Sequence, residues 1–181
     1  MMSDVRAVQS NDSKILTAQN RPDPYAPSLV GLLIGAREAM MTSIRPILHE
    51  AGVTQAQWRV LRILFEHGPC ESARVARHAL LHPPSVSRII KELDQRRLVV
   101  REQGLGGSRR SLLLLSEEGR QLVLETRARM DPVYEFCTVR FGRKRLAALE
   151  KELAAFTLAV HPELFDEMTA VPPLRGRAAR T

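Results

Sequence analysis

Two arginines that could bind an anion stand at the end of a glycine-rich loop in the middle of the chain. The stretch "VREQGLGGSRRSLLLL" runs from Val100 to Leu115 and places Arg109 and Arg110 directly after the loop. Glycine amides beside guanidinium groups are suited to phosphate oxygens. The loop does not match the dinucleotide-binding pattern GxGxxG, since Arg109 occupies the sixth position and a strand-like run follows instead of a helix.

A second polar group opens the segment "HPPSVSRIIKELDQRR". A helix fits the major groove of DNA, and the small donors and acceptors of its first turn then reach base edges. Basic residues on a preceding helix that crosses the backbone contact phosphates, which adds affinity without sequence discrimination. The candidate base-reading residues are Ser85, Ser87, Arg88 and Lys91, and the candidate phosphate contacts are Arg74 and Arg77.

The elements that would position these residues can be read from caps and apolar spacing. "TQAQWRVLRILFEHG" predicts a helix with Thr54 as N-cap and Gly68 as C-cap. "ESARVARHALL" predicts a short helix capped by Ser72, and the next helix carries Pro83 and Pro84 in its first turn, where missing amide protons cost little. "LVVREQ" and "SLLLLS" predict a β-hairpin around the glycine loop. The fold class is therefore mainly α with a small hairpin, in a winged helix-turn-helix arrangement.

Charge and composition favour a soluble protein with an anionic partner. The chain has 181 residues, 44% hydrophobic, and a net charge of +7, and residues 71–110 carry nine basic and four acidic side chains. There is no apolar run long enough to span a membrane and no signal pattern, so the expected location is cytoplasmic, with no membrane partner.

The residues also carry a family resemblance. "VTQAQWRVLRILFEHGP", "PPSVSRIIKELDQRRLVVR" and "SRRSLLLLSEEGRQL" resemble the MarR family of bacterial transcription regulators in order and spacing, over about residues 31–160. "GAREAMMTSIRPIL" followed by "TQAQWRVLRIL" resembles most the regulators of aromatic-acid catabolic operons, such as the homoprotocatechuate regulators.

The resemblance implies a homodimer that represses transcription from a palindromic double-stranded DNA operator. It implies a recognition helix at about 83–96 and a wing at about 101–111, with Arg109 entering the minor groove and Arg110 beside it as a phosphate contact. The chain departs from the family pattern at three positions. Gly107 replaces the acidic partner of the wing arginine. Arg97 replaces the glycine that closes the recognition helix, and His82 occupies that helix's N-cap position.

Domain boundaries follow from the same patterns. Apolar stripes at both ends of the chain agree with a dimer, because such stripes need a partner surface. We expect a disordered arm (1–24), dimerisation helices (25–50 and 117–165), a DNA-binding lobe (51–116) and a basic, disordered tail (166–181).

The resemblance also implies release from DNA by a small anion. On the first helix Arg37, Met41 and Arg45 lie on one i, i+4, i+8 line. Together with Trp58 they could bind a carboxylate and an aromatic ring, so the predicted effector is an aromatic acid or an aromatic acyl-CoA thioester. The competing interpretation is a dimer salt bridge, for example from Arg37 or Arg45 to Glu38 or Glu66.

Other functional classes receive less support. The enzyme patterns GxSxG, GxxxxGK and HExxH are missing, so no catalytic residue and no cofactor is predicted. His78 and His82 have i, i+4 spacing, but no further ligand completes a metal site. Two alternatives stay open: a nonspecific architectural DNA-binding protein, and a thiol-sensing regulator that uses Cys70 or Cys137.

Overall fold

The computed structural model describes residues 28–103 and 111–163, as six helices and three short strands. The elements in chain order are α1 (Leu29–Glu50), α2 (Gln55–His67), β1 (Cys70–Glu71), α3 (Ser72–Ala79), α4 (Pro83–Gln95), β2 (Val99–Gln103), β3 (Ser111–Leu115), α5 (Glu117–Phe141) and α6 (Arg143–Val160). The mainly helical winged-helix architecture is confirmed. The expected arm and tail, and the wing arginines Arg109 and Arg110, lie outside the described residues.

The chain divides into two compact units whose boundary falls inside α1, between Ala39 and Met40. In the first unit, the hydroxyl oxygen of Ser28 accepts from the Gly31 amide at 3.1 Å and starts the helix. The second unit contains the remaining elements. Among the described residues, no helix is long and apolar enough to cross a membrane.

The second helix begins and ends as its sequence predicts. Thr54 and Gln57 form a capping box: the Thr54 hydroxyl accepts from the Gln57 amide at 3.1 Å, and the Gln57 side chain accepts from the Thr54 amide at 3.0 Å. Gly68 ends α2 with a positive φ of 69° and donates its amide to Leu64. Both termini of α2 are thereby fixed.

The prediction that Ser72 caps the next helix is wrong. Glu71 holds the N-cap position and makes no side-chain cap hydrogen bond, and Ser72 is already the first helical residue. The cause is β1, which was not predicted from the sequence: Cys70 pairs with Leu113 and Glu71 with Leu112 of β3. The backbone stays extended through Glu71 because β3 holds it in a sheet.

The turn into α4 uses strained but hydrogen-bonded backbone. Leu80 has the left-handed conformation, with φ 51°, and its amide reaches the carbonyls of the last turn of α3. Pro83 and Pro84 occupy the first positions of α4 as predicted, and the His82 side chain makes no cap hydrogen bond. At the other end, Arg97, which replaces the closing glycine of the family pattern, has a positive φ of 57°.

The strands form a three-stranded antiparallel sheet in the order β1, β3, β2. The predicted hairpin is confirmed, in a register from Val99 opposite Leu115 to Gln103 opposite Ser111. β3 is the central strand, so it joins the ribbon to β1 at the start of α3.

In the core, α4 and α2 pack against each other through one apolar side of each helix. The buried residues of α4 are Val86, Ile89, Ile90 and Leu93. They belong to the same buried cluster as Trp58, Val60, Leu61, Ile63 and Leu64 of α2. Burial of one side of α4 leaves its polar side exposed to solvent.

The start of α5 touches the backbone just after α4. The Ser116 hydroxyl accepts from the Gly119 amide at 2.9 Å as N-cap of α5 and donates to the Arg97 carbonyl oxygen at 2.6 Å. A Cβ on Gly119 would lie 2.0 Å from the carbonyl oxygen of Leu98. The absence of a side chain at Gly119 therefore permits the contact between α5 and the turn that precedes β2.

We expect Gly119→Ala to lower the free energy of unfolding by about 1–3 kcal/mol, because the added methyl group must displace backbone atoms. Gly35→Ala is the comparison, since Gly35 is also helical and, within the single chain, nothing lies within 4 Å of its added Cβ. Because Gly35 falls in an expected dimerisation helix, unfolding is followed at several protein concentrations. That substitution should stabilise the chain by about 0.5–1 kcal/mol through helix propensity. Urea unfolding of both variants measures the difference. Equal effects would contradict the close contact.

Candidate DNA-binding surface and effector site

The predicted base-reading residues all lie on the exposed side of α4. Ser85, Ser87, Arg88 and Lys91 are exposed, opposite the buried stripe. The Ser87 hydroxyl donates to the Pro83 carbonyl oxygen at 3.1 Å, within the first turn. Arg88 pairs with Glu92 one turn later, with Nε 3.6 Å from Oε1, and its side chain is 80% exposed. The first turn of α4 therefore presents hydroxyl and guanidinium groups to solvent.

The predicted phosphate contacts lie on α3, the preceding helix. Arg74 and Arg77 are both exposed. The Nε of Arg74 donates to Nε2 of His78 at 3.1 Å, which directs the guanidinium along its own helix. The ribbon adds Arg101 on β2, which is also exposed. Basic side chains thus lie on α3, α4 and β2 within one winged-helix unit.

The four predicted effector residues fall in both units of the structure. Met41 packs against the core that contains buried Trp58, whereas Arg45 is exposed on α1. Arg37 belongs to the first unit, where its Nη1 lies 2.5 Å from Oε1 of Glu38. Arg37 therefore pairs with Glu38 within one chain, whereas the competing interpretation expected a salt bridge of the dimer.

A charged cluster between α2 and α5 was missed by the sequence predictions. The Glu66 side chain is only 5% exposed, and its Oε1 lies 3.8 Å from Nη1 of Arg127. Burial raises the pKa of Glu66 above its usual 4.5, and the charges of Arg62 and Arg127 partly oppose that rise. Among the described residues, the buried Oε2 of Glu66 accepts no hydrogen bond.

Tyr134 joins this cluster from α5. Burial raises the pKa of its hydroxyl above the usual 10.0, and Arg62 and Arg127 act on it as they act on Glu66. One signal in the sequence could have found half of the cluster: Trp58, Arg62 and Glu66 are spaced i, i+4, i+8 on α2. We call Arg62, Glu66, Arg127 and Tyr134 the seam cluster.

An aromatic ring adjoins the seam cluster. The guanidinium carbons of Arg120 and Arg127 lie 5.3 and 5.4 Å from the centroid of the Phe65 ring, within cation–π distance. A cavity of about 190 Å³ opens beside Phe65 and Arg120, bordered by β3. The contact between α2 and α5 therefore combines guanidinium groups with aromatic surface.

A histidine pair joins α2 to α3. The rings of His67 and His78 are stacked, with centroids 5.0 Å apart and planes 12° from parallel. The buried Nε2 of His67 has no hydrogen-bond partner within the described chain. Burial lowers the pKa of His67 below 6.5, and His78, Arg74 and Arg62 lower it further. No group of three or more metal-ligating side chains occurs in the part of the chain that the structure describes.

These features define a class of protein: a winged-helix protein with exposed basic side chains on α3, α4 and β2 and a charged cluster between α2 and α5. Comparison with known proteins agrees. The profile described as MarR family matches residues 51–111. The HTH-type transcriptional regulator FarR of Neisseria gonorrhoeae is 38% identical over 122 residues, 67% of this chain and 84% of that protein. The chain belongs to the MarR family.

Two further relatives bear on function. The homoprotocatechuate degradative operon repressor of Escherichia coli is 29% identical over 129 residues, 71% of this chain and 87% of that protein. The crystal structure of NadR in complex with 4-hydroxyphenylacetate has a TM-score of 0.65 and 34% identity, and covers 75% of this chain and 97% of that one. The family expectation from the sequence is confirmed: the protein is a transcriptional regulator and not an enzyme.

We expect the His67 imidazole to titrate below pH 6.5 in a proton NMR titration, since burial and the facing charges disfavour its protonated form. His78→Asn should move that titration upward, whereas His82→Asn should leave it unchanged. His67 binds a proton less tightly in the folded chain than in the unfolded chain. The contribution of neutral His67 to the free energy of unfolding is therefore fully present above pH 6.5. It falls as the pH drops towards the folded pKa. Titration of His67 at or above 6.5 would contradict the buried stack.

Proposed function

We propose that this ligand-responsive regulator is a dimeric repressor of an aromatic-compound degradation operon, released from a palindromic operator by an aromatic acid or its CoA thioester. The observation that supports DNA binding in this proposal is the exposed polar side of α4, opposite its buried apolar stripe. The homoprotocatechuate repressor and NadR support the aromatic half.

On DNA, α4 enters the major groove and the ribbon follows the adjacent backbone. Ser85, Ser87, Arg88 and Lys91 contact base edges, and Arg74 and Arg77 contact phosphates. The wing residues Arg109 and Arg110 reach the minor groove and its phosphates. The basic excess of residues 71–110 supplies the electrostatic attraction that such a surface needs.

Dimerisation explains the uncovered apolar side chains of three helices. No residue of α6 is buried within the single chain, although Leu149, Leu153 and Phe156 are spaced along it. The first turns of α1 expose Leu29, Leu32 and Leu33, and the end of α5 exposes Phe136, Val139 and Phe141. Exposed apolar side chains of this number indicate a protein interface. We assign residues 25–50 and 117–165 to the interface of a homodimer.

The seam cluster suits an aromatic acid that also carries a hydroxyl group. Arg62 and Arg127 supply two guanidinium groups that would bind a ligand carboxylate, beside Glu66 and with Asp131 acting on the Tyr134 hydroxyl. The unpartnered Oε2 of Glu66 would accept from a ligand hydroxyl. Trp58 and Tyr134, on the same two helices, supply aromatic surface for the ring. We therefore propose Arg62 and Arg127, in place of Arg37 and Arg45, as the residues that bind the carboxylate of the effector.

The two alternatives from the sequence make different predictions. An architectural protein would bind every duplex with similar, salt-dependent affinity, whereas a regulator should prefer its operator by about 10³ or more. A thiol sensor needs an accessible, acidic cysteine. Cys70 is 2% exposed, and burial raises its pKa above 9.0, so it lacks both properties.

For DNA binding, we expect Arg88→Ala to reduce discrimination at one base pair by about 1–3 kcal/mol. Arg74→Ala should weaken binding to all duplexes and reduce the salt slope by about one. Arg109→Ala should weaken operator binding with the dimer intact. Fluorescence anisotropy on DNA from upstream of the gene, at several salt concentrations, measures all three. Arg143→Ala, which removes a charge at the start of α6 in the proposed dimer interface, is the charge control. Once size-exclusion chromatography shows that its dimer is intact, it should bind normally.

For the effector, we expect 4-hydroxyphenylacetate to raise the melting temperature more than phenylacetate, which lacks the hydroxyl group. Saturation at one hundred times Kd adds about 2.7 kcal/mol of stability. Arg62→Gln should abolish the shift, whereas Arg120→Gln should retain it because Arg120 contacts Phe65 outside the seam cluster. The same acids should release the protein from operator DNA in a mobility-shift assay.

The CoA thioesters of both acids form a second arm, since a thioester lacks the free carboxylate that Arg62 would bind. A shift with thioesters alone would retain the aromatic effector and reject the carboxylate contact. Loss of the shift in Arg120→Gln but not in Arg62→Gln would place the ligand in the cavity beside Phe65. If no acid and no thioester stabilises the protein or releases DNA, the effector proposal fails.

A further inference from the structure

A buried amide connects the start of α2 to the base-reading helix. Gln57 is 8% exposed, and both ends of its side chain are engaged. Its Oε1 accepts from the Thr54 amide at 3.0 Å, and its Nε2 donates to Oε2 of Glu92 on α4 at 2.9 Å. Because the Thr54 amide requires an acceptor and the Glu92 carboxylate requires a donor, only one orientation of the Gln57 amide satisfies both partners.

The second oxygen of Glu92 faces Arg88. Its Oε1 lies 3.6 Å from Nε of Arg88, and the hydrogen bond from Gln57 occupies the other oxygen. A guanidinium can donate from its two Nη groups to guanine. Because Glu92 faces the Nε of Arg88, both Nη groups stay available for a base. The carboxylate thus lies between a fixed donor in the core and an arginine at the surface.

The same side of α4 has a second link to α2. Arg88, Glu92 and Arg96 are spaced i, i+4, i+8 and form one line along the helix. Arg96 donates from Nη1 to the carbonyl oxygen of Gly52 at 2.8 Å, just before α2 begins. Two of the three residues on this line are therefore held from the α2 side, Glu92 by Gln57 in α2 and Arg96 by Gly52 in the turn before it, and the third is Arg88.

We propose that Gln57 is a positioning residue for operator recognition. It orients the Glu92 carboxylate, which in turn holds the Arg88 guanidinium in the direction needed to read one base pair. This rests on the proposed contact of Arg88 with a base. Gln57 does not touch DNA, so it acts on discrimination between sequences more than on affinity for DNA as such.

The discriminating variant is Gln57→Glu. The new carboxylate keeps the acceptor for the Thr54 amide, so the capping box survives, but it has no donor for Glu92 and repels it. The added charge weakens binding to every duplex alike, so the informative quantity is a ratio of affinities. Thr54→Ala is the matched control, because it removes a cap hydrogen bond of α2 and leaves the Gln57 donor to Glu92 in place.

The test uses the full-length dimer and a preferred site selected from a random duplex library. Affinities for that site and its single-base variants identify the pair at which Arg88→Ala loses discrimination. At that pair we expect Gln57→Glu to lose about three- to tenfold discrimination. We expect Thr54→Ala to lose none while lowering the melting temperature. Gln57→Glu combined with Arg88→Ala should discriminate no worse than Arg88→Ala alone.

Rescue provides the sharpest readout. Glu92→Gln alone removes the carboxylate that faces Arg88 and should also lose discrimination. Combined with Gln57→Glu, it exchanges donor and acceptor: the amide at position 92 donates to the carboxylate at position 57 and offers its own oxygen to Arg88. The double variant should recover most of the ratio, which a general loss of stability could not do.

Several results would overturn the proposal: unchanged discrimination in Gln57→Glu, equal losses in Gln57→Glu and Thr54→Ala, or no recovery in the double variant. If Gln57→Glu does not fold, Glu92→Gln still decides, because the Glu92 side chain is 44% exposed and full discrimination in that variant would exclude the link. If Arg88→Ala affects no base pair, the proposed role of Arg88 fails first. That result differs from a failure confined to Gln57.

Discussion

The burial of one apolar stripe on α4 is the constraint on which the functional surface depends. Val86, Ile89, Ile90 and Leu93 are each at most 5% exposed, and removing four such side chains from water contributes several kcal/mol. A helix that buries this side must turn its opposite side outward. The exposure of Ser85, Ser87, Arg88 and Lys91 is therefore a consequence of core packing.

The second helix takes part in both halves of the proposed function. Its N-terminal end holds α4 through Gln57, while the line of Trp58, Arg62 and Glu66 extends towards α5. A ligand bound at the seam cluster would thus contact the same rigid helix that orients Arg88. Two packed contacts on one helix offer a physical route by which effector binding could change the DNA-binding surface.

Several elements could be predicted because their causes are local. The capping box of Thr54 and Gln57, the prolines at the start of α4 and the glycine at the end of α2 each act within one helical turn. Arg97 was open to a positive φ or to a different end of the helix, and the structure has the positive φ. The wrong cap at Ser72 has a non-local cause, since pairing with β3, about forty residues later, keeps Glu71 extended.

The helices, the tight turn and the ribbon could be predicted from the sequence, because the hydrogen bonds at helix ends and the spacing of apolar residues involve only neighbouring residues. The order and spacing of the same motifs indicated the family. Only tertiary packing decided which charged side chains meet. Glu66 and Arg127 are separated by sixty-one positions, and Gln57 and Glu92 by thirty-five, so no periodicity pairs them. Their meeting depends on how α2 packs against α5 and α4. The neighbours of the opening glycine loop predicted a wing, whereas the pairing of Glu66 with Arg127 was found only in the fold.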